Sequence, residues 1–154
     1  MKLRIIPAQL QDIPSIFSLI QELAEFEALT QYLTGTKTDL RDSLFGDHPA
    51  AECVVAWVDD QIVGYALFFH NFSTFQCKSG LYLEDLYVKT DHRGKGIGKA
   101  LFSHVQQIGK SRGCGRFEWL AVQDDKRAIQ FYKSMGATVY DQFRLCRMTY
   151  DQSL

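Results

Sequence analysis

Apolar residues fall along this chain in two rhythms. Ile13, Ile16, Phe17, Ile20, Leu23 and Ala24 recur at helical spacing behind Asp12 and Pro14, which mark a helix start. Thr36 or Thr38 caps a second, short helix through Leu40, Leu44 and Phe45, and Gly46 ends it. Ile97, Ala100, Leu101, Val105 and Ile108 form a third stripe, closed by Gly113 and Gly115. Lys126–Met135 predicts a fourth helix, stopped by Gly136. Shorter bulky runs read as strands: Leu3–Pro7, Cys53–Val58, Ile62–His70, Leu81–Val88, Phe117–Val122, Thr138–Asp141 and Leu145–Tyr150. Asp59-Asp60-Gln61 reads as a hairpin turn, and Asn71–Gly80 as a polar loop. The order β-α-α-β-β-β-α-β-α-β-β, without repeat or linker, predicts one α/β (α+β) domain over residues 1–154.

Composition narrows the class. The 154 residues suit one domain with a real core. No apolar run is long enough to span a bilayer, and the first residues, MKLRIIPAQLQDIP, lack a signal-like apolar stretch. Cys53, Cys77, Cys114 and Cys146 are scattered, with no C-x-x-C pair. That pattern predicts a reduced cytoplasmic protein without a zinc site or other metal. Net charge is −1, split into −7 over residues 1–91 and +6 over residues 92–154. A basic half suits an anionic cofactor and an acidic half a cationic substrate, unless the two interleave in space and their fields cancel. No basic stripe with interleaved aromatics speaks for nucleic acid.

The densest chemistry lies at Arg93-Gly94-Lys95-Gly96-Ile97-Gly98, between a strand and a helix. Glycines expose backbone N–H groups and permit positive φ, and a helix N-terminus attracts phosphate. Arg93, Lys95 and Lys99 add positive charge. The spacing fits neither a Walker loop nor a dinucleotide fingerprint. A tight turn decorated with solubilising cations is the bland alternative.

Arg-x-x-Gly-x-Gly after an acidic strand resembles the acyl-CoA loop of the GNAT acetyltransferases. The element order resembles that fold over nearly the whole chain, which implies a mixed, mostly antiparallel central sheet flanked by helices. Leu120-Ala121-Val122 followed by Ala128–Ala137 resembles the family's second cofactor segment, with Asp125 where many members carry Asn. Glu22–Glu27, Leu81–Val88 and Phe131-Tyr132-Lys133 are similar to the diamine (spermidine/spermine and thialysine) acetyltransferases, with Phe26 where a tyrosine is usual. The resemblance implies an acetyl-CoA-dependent N-acetyltransferase acting on a primary amine of a small cationic, polyamine-like or lysine-like substrate, as a homodimer. It implies that the backbone of Leu86, Tyr87 and Val88 pairs with the pantetheine arm. Arg93, Gly94, Lys95, Gly96, Ile97, Gly98 and Lys99 then hold the pyrophosphate, and Asp125 and Ala128 line the cofactor. Tyr132 becomes the general acid, and Phe26, Glu27, Glu84 and Asp85 meet the amine. Acetylation of protein lysines or other small amines, or an acyl-CoA-binding module without turnover, are the alternatives.

The residues themselves support part of this. A primary ammonium has a pKa near 10.4 by analogy with lysine, so a base must take its proton, and Glu84 is the candidate. Tyr132, with a phenol pKa of about 10, can protonate a departing thiolate. Asp125 and Tyr132, seven residues apart, share a helix face. Regular alternation puts Glu84 and Asp85 on opposite sheet faces, so that only one reaches the thioester unless the strand is bulged. Acids at the end of the first helix oppose its dipole, a mild misfit that a plain solvated face also explains.

Overall fold

The computed structural model describes residues 1–150. The elements are β1 (Leu3–Pro7), α1 (Ile13–Phe26), α2 (Lys37–Phe45), β2 (Glu52–Val58), β3 (Gln61–Ser73), β4 (Lys78–Val88), α3 (Ile97–Ser111), β5 (Phe117–Glu118) and α4 (Lys126–Ser134). They fall into two compact units, residues 1–119 and a second beginning at Leu120.

The first unit is built on a sheet ordered β1-β2-β3-β4-β5. Three neighbouring pairs are antiparallel and β4–β5 is parallel, as expected of a mixed, mostly antiparallel sheet. Ile13, Ile16 and Leu19 of α1 and Leu44 of α2 pack with Cys53, Val55, Tyr65 and Tyr87 on one face. α3 covers the other face. Its Leu101 lies over Gly64, its Gly109 over Leu81, and Phe102 stacks on Phe117 and Trp119. Ile97, Leu101, Phe102 and Val105 are all buried, each stabilising the unit by roughly 1.5–3 kcal/mol. The caps follow their chemistry. Thr36 accepts from the Asp39 N–H and opens α2, and Pro14 sits in the first turn of α1.

Three expectations change. Residues 71–80 are not a loop: β3 runs on to Ser73 and β4 begins at Lys78, so the hairpin tip shrinks to residues 74–77. The strand expected over Phe117–Val122 is two residues long. The strands expected at Thr138–Asp141 and Leu145–Tyr150 do not form among the described residues. Val139, Tyr140, Leu145, Met148 and Tyr150 are exposed there, and a strand exists only where a neighbour takes up its backbone groups.

Candidate active site

The site in the first unit is organised by a bulge in β4. Leu83 pairs with Phe68 and Leu86 with Ala66, so Leu83 and Leu86 face the same side. Only Leu67 stands between those two partners, and it pairs with Asp85. Glu84 is therefore the extra residue. Glu84 and Asp85 together occupy one position, on the face covered by α1, not opposite faces as regular alternation predicts. The correction has a simple cause: the insertion shifts the two-residue phase. Leu81 and Leu83 before it and Val88 after it remain buried.

Glu84 is exposed, and its charge helps to raise the Tyr82 phenol, after burial as the main cause. Asp85 is half-buried and accepts a hydrogen bond from the Tyr65 hydroxyl at 2.8 Å. Burial raises its carboxyl, and the Tyr65 bond works against that rise. Glu27, at the end of α1, is raised by burial and then by the charge of Asp85. Among the described residues neither Asp85 nor Glu27 has an ion pair with a cation. Glu22 differs: Lys89 Nζ lies 3.4 Å from one of its oxygens, and the Tyr87 hydroxyl donates to the other at 3.4 Å. Its charge is therefore largely answered within the chain.

The ladder between β4 and β5 covers only Leu81↔Phe117 and Tyr82↔Glu118. Among the described residues, the β5-side edge of β4 at Leu86, Tyr87 and Val88 has no strand partner. The loop follows directly. Gly94 and Gly96 have φ of +75° and +83°, values that only glycine adopts freely, and both face open space. The first intrahelical bond of α3 runs from the Ala100 N–H to the Gly96 carbonyl, and no side chain caps the helix. The N–H groups of Ile97, Gly98 and Lys99 thus have no described partner. Lys95 and Lys99 are exposed beside them. This cradle fits a pyrophosphate and the open edge fits an amide-bearing arm, so the chain's own atoms suit acetyl-CoA.

Arg93 is anchored within the chain. Its Nε donates to the Val88 carbonyl at 2.8 Å. Its guanidinium lies 4.3 Å from the centre of the Phe26 ring and 5.2 Å from that of Tyr87. Arg93 therefore ties the loop to the end of α1, and Phe26 is engaged by it while still largely exposed. His92, beside the loop, pairs with Asp91 at 3.0 Å.

The second unit carries Asp125, Ala128 and Tyr132. Asp125 caps α4, accepting from the Ala128 N–H at 3.0 Å, so the acid serves the helix that an amide would also cap. Tyr132 stacks edge-on against Phe131, and burial, then Asp125, raises its phenol. A raised phenol stays protonated at neutral pH, the state a proton donor needs. Among the described residues no cluster of His, Cys, Asp and Glu could hold a metal ion, and no helix is long and apolar enough to cross a membrane. Sequence reasoning missed Tyr65, the Glu22–Lys89 pair and the Arg93–Phe26 stack. No local pattern signals them, because each joins residues far apart in the chain.

The chain is similar to known proteins in sequence and in fold. The profile of the acetyltransferase (GNAT) family matches residues 17–137. The chain is 35% identical to a thialysine N-epsilon-acetyltransferase of Bos taurus, over 82% of this chain and 78% of that one. It is 30% identical to an L-ornithine N5-acetyltransferase of Arabidopsis thaliana, over 91% of this chain and 81% of that one. A solved integron cassette protein from the mobile metagenome of V. cholerae superposes with a TM-score of 0.81 at 25% identity, covering 99% of this chain and 95% of that one. With a family profile spanning most of its length and acetyltransferases among its relatives, the chain belongs to the GNAT acetyltransferase family and is an N-acetyltransferase.

Proposed function

We propose that the chain transfers the acetyl group of acetyl-CoA to a primary amine of a small dicationic substrate, polyamine-like or lysine-like in the manner of thialysine and ornithine. The observation that carries this is the bulge, which sets Glu84 and Asp85 side by side on the face shared with Glu27. Asp85 and Glu27, held near each other with no ion pair to a cation among the described residues, favour a ligand that brings positive charge. The relatives named for thialysine and ornithine act on amines of that kind.

Acetyl-CoA, when bound, supplies an activated thioester. The chain's residues do the rest. The N–H groups of Ile97, Gly98 and Lys99, with Lys95, receive the pyrophosphate, and the edge of β4 orients the arm. Glu84, exposed at the bulge, takes the proton of the ammonium directly or through a water. Asp85 and Glu27 hold the second positive charge. Tyr132 returns a proton to the leaving thiolate. Homodimer formation and a cytoplasmic setting belong to the same reading, supported by the diamine-acetyltransferase resemblance and by four unpaired cysteines.

Thiol release from acetyl-CoA over a panel of amines tests the proposal. Turnover with thialysine, ornithine or spermidine is expected. Turnover confined to peptide lysines, or none at all, would refute it.

A further inference from the structure

Tyr65 sits in the middle of β3, fully buried among apolar neighbours. A phenylalanine would fill the same volume, so its hydroxyl needs its own explanation. That hydroxyl donates to Asp85 Oδ2 at 2.8 Å, from the strand beside the bulge. The titratable groups around Asp85 include Tyr65 from β3, Cys53 from β2, Glu27 from the end of α1 and, next to Asp85 at the bulge, Glu84. Burial pushes the Tyr65 phenol and the Cys53 thiol up, so both remain neutral at physiological pH. The environment of Asp85 thus holds one strong donor, Tyr65, and two acids, Glu27 and the neighbouring Glu84.

We propose that Tyr65 is a positioning residue for amine recognition: its hydroxyl fixes the Asp85 carboxylate beside Glu27, so that the two receive the second, non-reacting ammonium of a dicationic substrate. The proposal rests on the amine-acetyltransferase reading. Tyr65 touches no substrate. It acts through Asp85, supplying the hydrogen bond that lets a half-buried carboxylate keep its charge until a cation arrives.

Tyr65→Phe keeps the ring in the core and tests this. The expected result is a KM for a diamine raised about tenfold or more, the scale of a lost hydrogen bond to a charged group. Both kcat and the KM for acetyl-CoA should stay within about twofold. The acid limb of the diamine kcat/KM profile should move to higher pH, and carboxyl NMR should show Asp85 titrating at higher pH. Tyr65→Phe/Asp85→Asn should bind the diamine no worse than Asp85→Asn alone. An unchanged diamine KM, a fall in kcat alone, or additive losses in the double variant would overturn the proposal while the wild-type activity stands. Absence of any amine turnover in the wild type would instead remove the reading beneath it, and no loss of calorimetric diamine affinity in Tyr65→Phe would then remove the positioning role as well.

Discussion

In the proposed reaction, Glu84, Asp85 and Tyr132 take different tasks according to their surroundings. Glu84 is exposed at the bulge, so it can exchange protons with water, and Glu84→Gln removes that ability while keeping the shape. For a diamine we expect kcat/KM to fall about 10²-fold, the usual scale for a positioned base, with CoA affinity unchanged. A loss of less than about threefold would assign proton removal elsewhere. Tyr132→Phe should lower kcat by roughly 10²-fold and leave CoA affinity within a few-fold; an unaltered kcat would hand the proton to water. Asp85 contributes to stability with the opposite sign to most carboxylates. Its folded pKa lies above the ordinary value, so the favourable contribution of its neutral form is complete below about pH 3.9 and is lost as pH rises through the folded pKa. Asp85→Asn should therefore raise Tm most at neutral pH and by a vanishing amount near pH 4, while diamine affinity falls. Thermal melts across that range check the sign, and a lower Tm at pH 7 would contradict it.

At the scale of elements, the loop and the bulge carry the account. Gly98 lies outside the positive-φ region, and an added Cβ would meet only Val88 at 3.9 Å. Gly98→Val should therefore fold, yet project a side chain toward the space that the free N–H groups face. We expect CoA affinity in calorimetry to drop roughly tenfold or more, as charge-assisted hydrogen bonds are lost. An unchanged affinity in the folded variant would dismiss the cradle. Gly96→Ala is the contrasting case, since a left-handed residue with a Cβ costs about 1–2 kcal/mol whatever the ligand does. The glycine loop was legible in the sequence because its positive-φ turn into α3 depends on glycines at fixed positions. The bulge was legible only in part. Two acids followed by Leu86-Tyr87-Val88 break the alternation, but an extra residue is defined only against the partner strand. Tyr65 left no signal, because its partner stands twenty positions away. The terminal strands were overread: the bulky runs are real, but a run of bulky residues supplies no neighbouring strand.

The whole molecule separates its tasks. α1 and α2 cover the face that carries the carboxylates, α3 covers the other, and the loop at the start of α3 is tied to the end of α1 through Arg93 and Phe26. The uneven charge read along the sequence thus has a local counterpart, with acids around the bulge and lysines at the loop. The central claim is that the first of these regions selects amines bearing a second positive charge. Steady-state kinetics at saturating acetyl-CoA with cadaverine and with pentylamine, which differ in that one ammonium group, test it most directly. We predict a kcat/KM about a hundredfold higher for the diamine, as expected when the extra ammonium gains a charge-assisted contact with the Asp85–Glu27 pair. Equal values for the two amines would contradict the account.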